Sequence, residues 1–399
     1  MEAARPLTVP DRRPSIGERF SLPYLDGYML AAAVGLIAFS AFTLALATSD
    51  DIRGQPLYFV FRQSLYGLVG VALMFAISRV DYSRFRELRV GVYTAMLVSI
   101  FIVFLFGTAA RGSNRWIELP YFRFQPSELA KVLLIVSLAA FVLERMERGA
   151  DLRQTLRLLV LGLVPAGLVF LQPDLGTGAV LVMITFAVLF VAGVSWKHFA
   201  AIGAAAALVA TLALAVAPAL GMPVLRGYQQ ERLTSFLNPS DDPTDSSYQI
   251  NQSVITTASG GKTGRGEAST QNELEFLPER HTDFIFAVIG ERFGFMGAAF
   301  VLSLYALLIW RALRLLTLSK NFYGTLIVGG ISAMLLFQIF VNVGMNLGMM
   351  PVTGITLPLM SYGGSSVLVT FMAIGLLQSI HVQAQLHARD SRERITLLR

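Results

Sequence analysis

The chain has 399 residues, 54% of them hydrophobic and only 15% charged, which excludes a soluble globular enzyme and places it among integral membrane proteins. Its net charge of +6 at pH 7 fits positive loops on one membrane face better than a nucleic-acid surface. There is no cysteine, so disulfides and thiol chemistry are excluded.

Met1 to Pro23 is polar and arginine-bearing without an apolar core. Residues 1–24 therefore read as a cytoplasmic tail rather than a cleaved signal peptide. Apolar runs follow near 25–48, 57–78, 90–109, 126–144, 156–173, 176–194, 199–218, 283–310, 321–345 and 364–385. Each is long enough to cross a hydrocarbon core about 30 Å thick. The predicted fold class is all-α and polytopic, with about ten transmembrane helices across residues 25–385 and a short cytoplasmic tail at 386–399. Arginine clusters at alternate ends (Arg79, Arg84 and Arg86; Arg145, Arg148 and Arg153; Arg311 and Arg314; Arg389 and Arg392) predict that both termini are cytoplasmic.

Arg53 apart, two outer loops carry the exceptions. The short loop after the third run holds Arg111, Arg115, Arg123 and Trp116, against the orientation rule. Either these anchor headgroups, or they form a pocket for an anionic lipid headgroup, since arginine matches phosphate oxygens bidentately. The large loop, about 221–282, is polar, punctuated by Pro, Gly, Ser and Asp, and lacks the periodicity of a separate domain. Loops of this length are functional or disordered. It includes Tyr228, Arg232, Tyr248 and Ser253, which read as ordinary packing residues, and a glycine-rich stretch with Lys262 and Arg265.

Three constellations carry chemistry. In Phe124-Gln125-Pro126-Ser127-Glu128-Leu129-Ala130-Lys131, Pro126 starts a helix whose Glu128 and Lys131 share a face. The pair either orients helices or meets a charged ligand from the outer loop. The stretch Leu277-Pro278-Glu279-Arg280-His281-Thr282-Asp283-Phe284 sets ionisable groups against an apolar run, which at a membrane boundary marks a functional site. Thr282 or Asp283 caps the helix that follows, or Asp283 serves as a proton acceptor. A helix N-terminus lowers its pKa and burial raises it. Glu291 continues the same stripe at i+8. The run Gly348 to Ser366 is apolar yet full of Gly and Pro, so it predicts a re-entrant wall of an outward-facing cavity. Its Gly363-Gly364-Ser365-Ser366 would present amides to an anion, with the glycines needed for positive φ or close approach.

These motifs in this order, with Arg115-Trp116-Ile117 and Ser361 to Ser366 included, resemble the SEDS family of bacterial cell-wall proteins (shape, elongation, division and sporulation) from about Leu25 to Gln383. LPERHTDF and PVTGI are more like the RodA branch than the FtsW branch. The resemblance implies a peptidoglycan glycosyltransferase that polymerises lipid II into glycan strands outside the cytoplasmic membrane. It implies Asp283 as the catalytic residue and Trp116 as functionally important. Gly290-Glu291-Arg292 departs from the usual GEE of the family. The substrate-binding candidates are Arg115, Trp116, Arg123, Gln125, Ser127, Glu128, Lys131, Arg232, Arg265, Glu279, Arg280, His281, Ser361, Gly363, Gly364 and Ser365. Within them, Arg115, Arg123, Lys131, Arg232, Arg265 and Arg280 are the pool for a pyrophosphate clamp. A divalent cation, Mg or Mn, would assist the leaving group, although no site for one is legible. A class B penicillin-binding protein is the expected transpeptidase partner. A lipid II flippase and a non-catalytic scaffold are the rival readings.

Overall fold

The computed structural model describes residues 24–48, 55–110, 113–118, 122–146, 151–211, 245–266, 269 and 280–397. Within them the helices are α1 (Gly27–Ala47), α2 (Tyr58–Ser78), α3 (Arg89–Phe106), α4 (Pro126–Met146), α5 (Leu152–Leu171) and α6 (Leu175–Val191). There follow α7 (Trp196–Thr211), α8 (Asp245–Ser259), α9 (Ile285–Leu318), α10 (Phe322–Asn346) and α11 (Gly364–Leu397). A helix begins within a few residues of each expected run. Among the described residues, 8 are long and apolar enough to span a membrane: α1 to α5 and α9 to α11. The chain is thus an all-α polytopic membrane protein. The sixth run is shorter than expected at its C-terminal end, where Gly193, at φ 78, follows the helix; at the other end Asp174 caps α6 through the Thr177 amide. The seventh run continues past Thr211 into residues outside those described.

Two features depart from the expectation. The short outer loop folds into three antiparallel strands, β1 (Thr108–Ala110), β2 (Ser113–Glu118) and β3 (Arg123–Phe124), with Trp116 opposite Thr108 and Glu118 opposite Arg123. The large loop contains α8, whose Ile250, Ser253 and Thr256 are buried against the bundle. Residues 212–244, 267–268 and 270–279 lie outside those described, and Tyr228, Arg232 and Glu279 with them.

The bundle's interior is α4, α10 and α11, whose spans are 78%, 72% and 89% buried, whereas α2 and α3 are 22% and 17% buried and turn most of their surface outward. Lipid tails are as apolar as leucine, so helices associate through close packing rather than water exclusion. At the α2–α11 contact a Cβ on Gly70 would lie 2.3 Å from the Phe371 ring, and one on Gly375 would lie 2.9 Å from the Met74 carbonyl. Asp26 ties α1, α9 and α11 together: its carboxylate accepts from Arg311 Nε at 2.7 Å, and its backbone exchanges two bonds with Gln378. Beside this end, burial pushes the Tyr82 phenol up to about 12. It stays protonated and donates to Asn321 Oδ1, the cap of α10.

Helix α9 breaks at Gly294 (φ 64, ψ -160). The amides freed by the break, Phe295 and Met296, donate to the Gly261 and Lys262 carbonyls, and the Glu291 carbonyl accepts from the Arg265 amide. The glycine-rich loop is therefore a brace that re-satisfies the backbone at membrane depth. A Cβ on Gly264 would lie 2.1 Å from the Arg292 carbonyl oxygen, so only glycine lets the two chains approach.

Candidate functional site

Residues 347–363, between α10 and α11, form the irregular wall expected from their Gly and Pro content. Their left-handed positions are Gly348 (φ 72), Gly354 (φ 72) and Leu359 (φ 63), not Gly363 or Gly364. Positive φ is therefore not what requires glycine at 363 and 364. A Cβ on Gly363 meets Ser366 at an ordinary 3.8 Å, and Gly364 is constrained only by the Tyr66 ring, 3.0 Å away. Leu359 pays a left-handed strain that its neighbours hold in place. The Tyr305 hydroxyl donates to the Pro358 carbonyl, Ser40 to Met360, and Gln63 to Ser361 at 3.2 Å.

Against this wall sits the turn 280–284, pinned by three successive carbonyls. The His281 carbonyl accepts from the Tyr362 amide at 2.9 Å and the Thr282 carbonyl from Ser361 Oγ at 2.6 Å. The Asp283 carbonyl accepts from Asn342 Nδ2 at 3.0 Å and Asn346 Nδ2 at 3.1 Å. With the backbone held on one side, His281, Thr282 and Asp283 remain half-buried. A Cβ on Gly354 would stand 3.7 Å from Asp283 Oδ2, so the wall and the carboxylate face each other. The cap residue of α9 is Phe284, which is neither Thr282 nor Asp283. The His281 ring packs on Phe59 and Tyr362 at 4.9 and 5.9 Å, and Arg280 is buried.

We expect Gly354→Val to lower activity at least about tenfold, because a branched side chain is strained at positive φ and reaches toward the carboxylate. Gly363→Ala should stay within about twofold of the parent, since no close contact or unusual φ opposes it. Specific activity of both variants, after size exclusion, checks this. Equal losses in the two would mean that the wall is held some other way.

Several of the predicted site residues also brace the fold. Ser361 Oγ accepts from the Leu357 amide while donating to Thr282, and is 1% exposed. Ser365 Oγ accepts from the Gln125 amide and donates to the Arg123 carbonyl, tying α11 to the start of α4. Gln125 Nε2 donates to Asp174 Oδ2 at 2.9 Å, and Ser127 Oγ lies 3.5 Å from the same oxygen. Arg115 reaches Asp174 Oδ1 at 3.6 Å and donates to the Pro173 carbonyl. Asp174 was not among the sequence candidates, yet it gathers three of them. Its sequence signal is an aspartate directly before an apolar run, which fits a helix cap. Lys131 and Glu128 form a buried pair at 2.7 Å. Arg123, exposed, lies 3.5 Å from Glu118 across β2 and β3. Trp116 is half-buried on β2. Arg265 is placed elsewhere, exposed at the Gly294 brace, with Nε on the Ser259 carbonyl. Glu291 is fully buried and accepts from Ser269 Oγ at 3.2 Å, so the stripe from Asp283 ends inside the protein.

On α2, Arg62 lies over the Tyr58 ring at 4.5 Å and bonds Tyr362. Burial and the nearby Tyr66 push the Tyr362 phenol up to about 12, so it stays protonated. A groove of about 510 Å³ opens here, lined by residues that include Leu57, Tyr58, Phe61, Arg62 and Tyr66. Asn342 and Asn346 were missed by the sequence reading. Their one signal was two asparagines four apart in an otherwise apolar helix. Among the described residues there is no cluster of three or more His, Cys, Asp or Glu able to hold a metal ion. Asp174 and Glu128 already face a guanidinium and an ammonium.

The model of the FtsW/RodA/SpoVE family, described as cell cycle proteins, matches residues 24–386. The chain belongs to this SEDS family. An FtsW/RodA/SpoVE relative from Escherichia coli (strain K12), the peptidoglycan glycosyltransferase MrdB, is 36% identical over 92% of this chain and 96% of its own. The structure also resembles a chain from a study of polymerization and crosslinking by a peptidoglycan synthase complex, with TM-score 0.75 and 33% identity over 90% of this chain and 98% of that one. The rod shape determining protein RodA of Thermus thermophilus matches with TM-score 0.63 and 30% identity, over 90% of this chain and 96% of its own. The family match spans both the pinned turn and the irregular wall.

Proposed function

We propose that this chain is a peptidoglycan glycosyltransferase that polymerises lipid II into glycan strands at the outer face of the bacterial cytoplasmic membrane, in the RodA manner of cell elongation. The observation that carries the reading is the half-buried carboxylate of Asp283, held in a pinned turn and facing an irregular wall at Gly354. In this reading Asp283 takes the proton from the 4-hydroxyl of a lipid II N-acetylglucosamine as that oxygen attacks the anomeric carbon of the growing strand. The new C1–O4 bond forms as the C1–oxygen bond to undecaprenyl pyrophosphate breaks, with inversion. Positive charge favours the departing pyrophosphate. Arg123, exposed on β3, and Arg280, in the pinned turn, are the candidates, and Arg115 is held by Asp174. A divalent cation here would compete with Arg115 and Lys131 for the acids, and no step is assigned to one. Both termini lie in the cytoplasm in this reading, and a class B penicillin-binding protein supplies the cross-linking.

Purified protein in detergent, given lipid II alone, tests the reading, because no translocation is required there. Glycan strands are expected. Absence of polymer from folded protein, together with lipid II translocation in vesicles, would favour a flippase instead.

A further inference from the structure

The first turn of a helix leaves backbone N–H groups without partners, and a cap residue's side chain commonly serves the third. In α9 the cap position is Phe284, which has no such oxygen. The third amide, Ala287, donates to the Phe284 carbonyl at 3.0 Å and also to Asn346 Oδ1 at 3.0 Å. The cap is thus supplied from another helix, 59 residues along the chain. The other half of the same side-chain amide, Nδ2, donates to the Asp283 carbonyl. One planar group therefore takes both an N–H of α9 and the C=O of the residue just before it. A side-chain amide offers a donor and an acceptor in that arrangement in its single neutral form.

Asn342, one turn earlier on α10, adds a second donor to the Asp283 carbonyl and bonds the Ile355 carbonyl at 2.8 Å. It thereby sets the distance between the turn and the wall beside Gly354. Ser253 Oγ of α8 lies 3.0 Å from the Asn346 carbonyl and 3.3 Å from its Oδ1, which fixes the amide from behind. Asn342 and Asn346 are both 0% exposed, so neither touches a substrate.

An aspartate next to a helix N-terminus is ordinarily drawn into capping, where its oxygens accept from the helix amides. Here Asn346 serves the Ala287 amide in its place. We propose that Asn346 and Asn342 are positioning residues for Asp283: by capping α9 from α10 and gripping the Asp283 carbonyl, they keep the carboxylate facing Gly354 and the substrate. The inference rests on the proposed role of Asp283 as base.

The test uses the purified full chain and lipid II, with kcat, KM and thermal midpoint measured for Asn346→Leu and Asn342→Ala, each alone and combined with Asp283→Asn. Misplacing a reacting group by about 1 Å costs about 100-fold. Asn346→Leu should therefore lose about 100-fold in kcat with KM within about twofold, and Asn342→Ala, which removes one of two donors, about tenfold. Combined with Asp283→Asn, neither should cost anything more, because groups acting through one base are not additive. Should Asn346→Leu not fold, Asn342→Ala carries the same comparison. A loss that multiplies undiminished in the Asp283→Asn background would make the asparagines merely structural and overturn the proposal. So would wild-type kcat in the single variants. A folded wild type that makes no glycan overturns the functional reading itself, and this inference with it. An active wild type matched by its asparagine variants overturns the inference alone.

Discussion

Asp283→Asn is expected to cut polymerisation to a small residual rate while the protein still inserts, folds and keeps its thermal midpoint. Asparagine has nearly the volume of aspartate, and the three carbonyls that pin the turn belong to the backbone, so the substitution leaves them in place. What it removes is the only change that matters to proton transfer, the ability to accept a proton from the attacking hydroxyl. Loss of a general base costs about 10²–10⁴-fold. The measurement is the initial rate of glycan formation from lipid II by variant and parent purified side by side. Activity within a few-fold of the parent at neutral pH would remove Asp283 from the chemistry. Asp283→Glu is less informative, because its extra methylene pushes the carboxylate toward Gly354, which stands close by.

The second large effect is on stability. Lys131→Met should leave the Glu128 carboxylate buried without its cation, and breaking a buried pair from one side costs ~3–5 kcal/mol. The pair sits at 2.7 Å with both side chains nearly out of contact with solvent. Pairing the change with Glu128→Gln removes both charges, and replacing a whole buried pair is often neutral. The double variant should therefore recover most of the thermal midpoint that the single one loses. Activity then separates two roles. A pair that only orients α4 gives a double variant with near-parental polymerisation, whereas a pair that meets the substrate gives a stable but inactive protein.

Much of the architecture was readable because a membrane imposes it locally. A helix must satisfy its own backbone and bury its own side chains in lipid, so uninterrupted apolar runs locate α1 to α5 and α9 to α11 without reference to one another. The irregular wall was readable for the opposite reason: Pro351, Pro358 and the glycines around them forbid helix in an apolar stretch. Where the reading misplaced detail, the detail was not local. Positive φ falls at Gly354 and Leu359 rather than Gly363, because the bend is set by bonds from Tyr305, Ser40 and Gln63 on three other helices.

By itself, then, the sequence determined the class of protein, where its apolar helices run, and that Asp283 stands before one of them while a separate stretch cannot be helix. Only the tertiary structure decided what holds that carboxylate. Asp174 joins Arg115 to Gln125, Asn346 caps a helix to which it does not belong, and the loop at Gly264 braces a break at Gly294. The physical reason is range. Periodicity and capping patterns record neighbours within a turn or two of one helix. A buried amide is satisfied by whichever partner the packed bundle brings within 3 Å, at any separation along the chain.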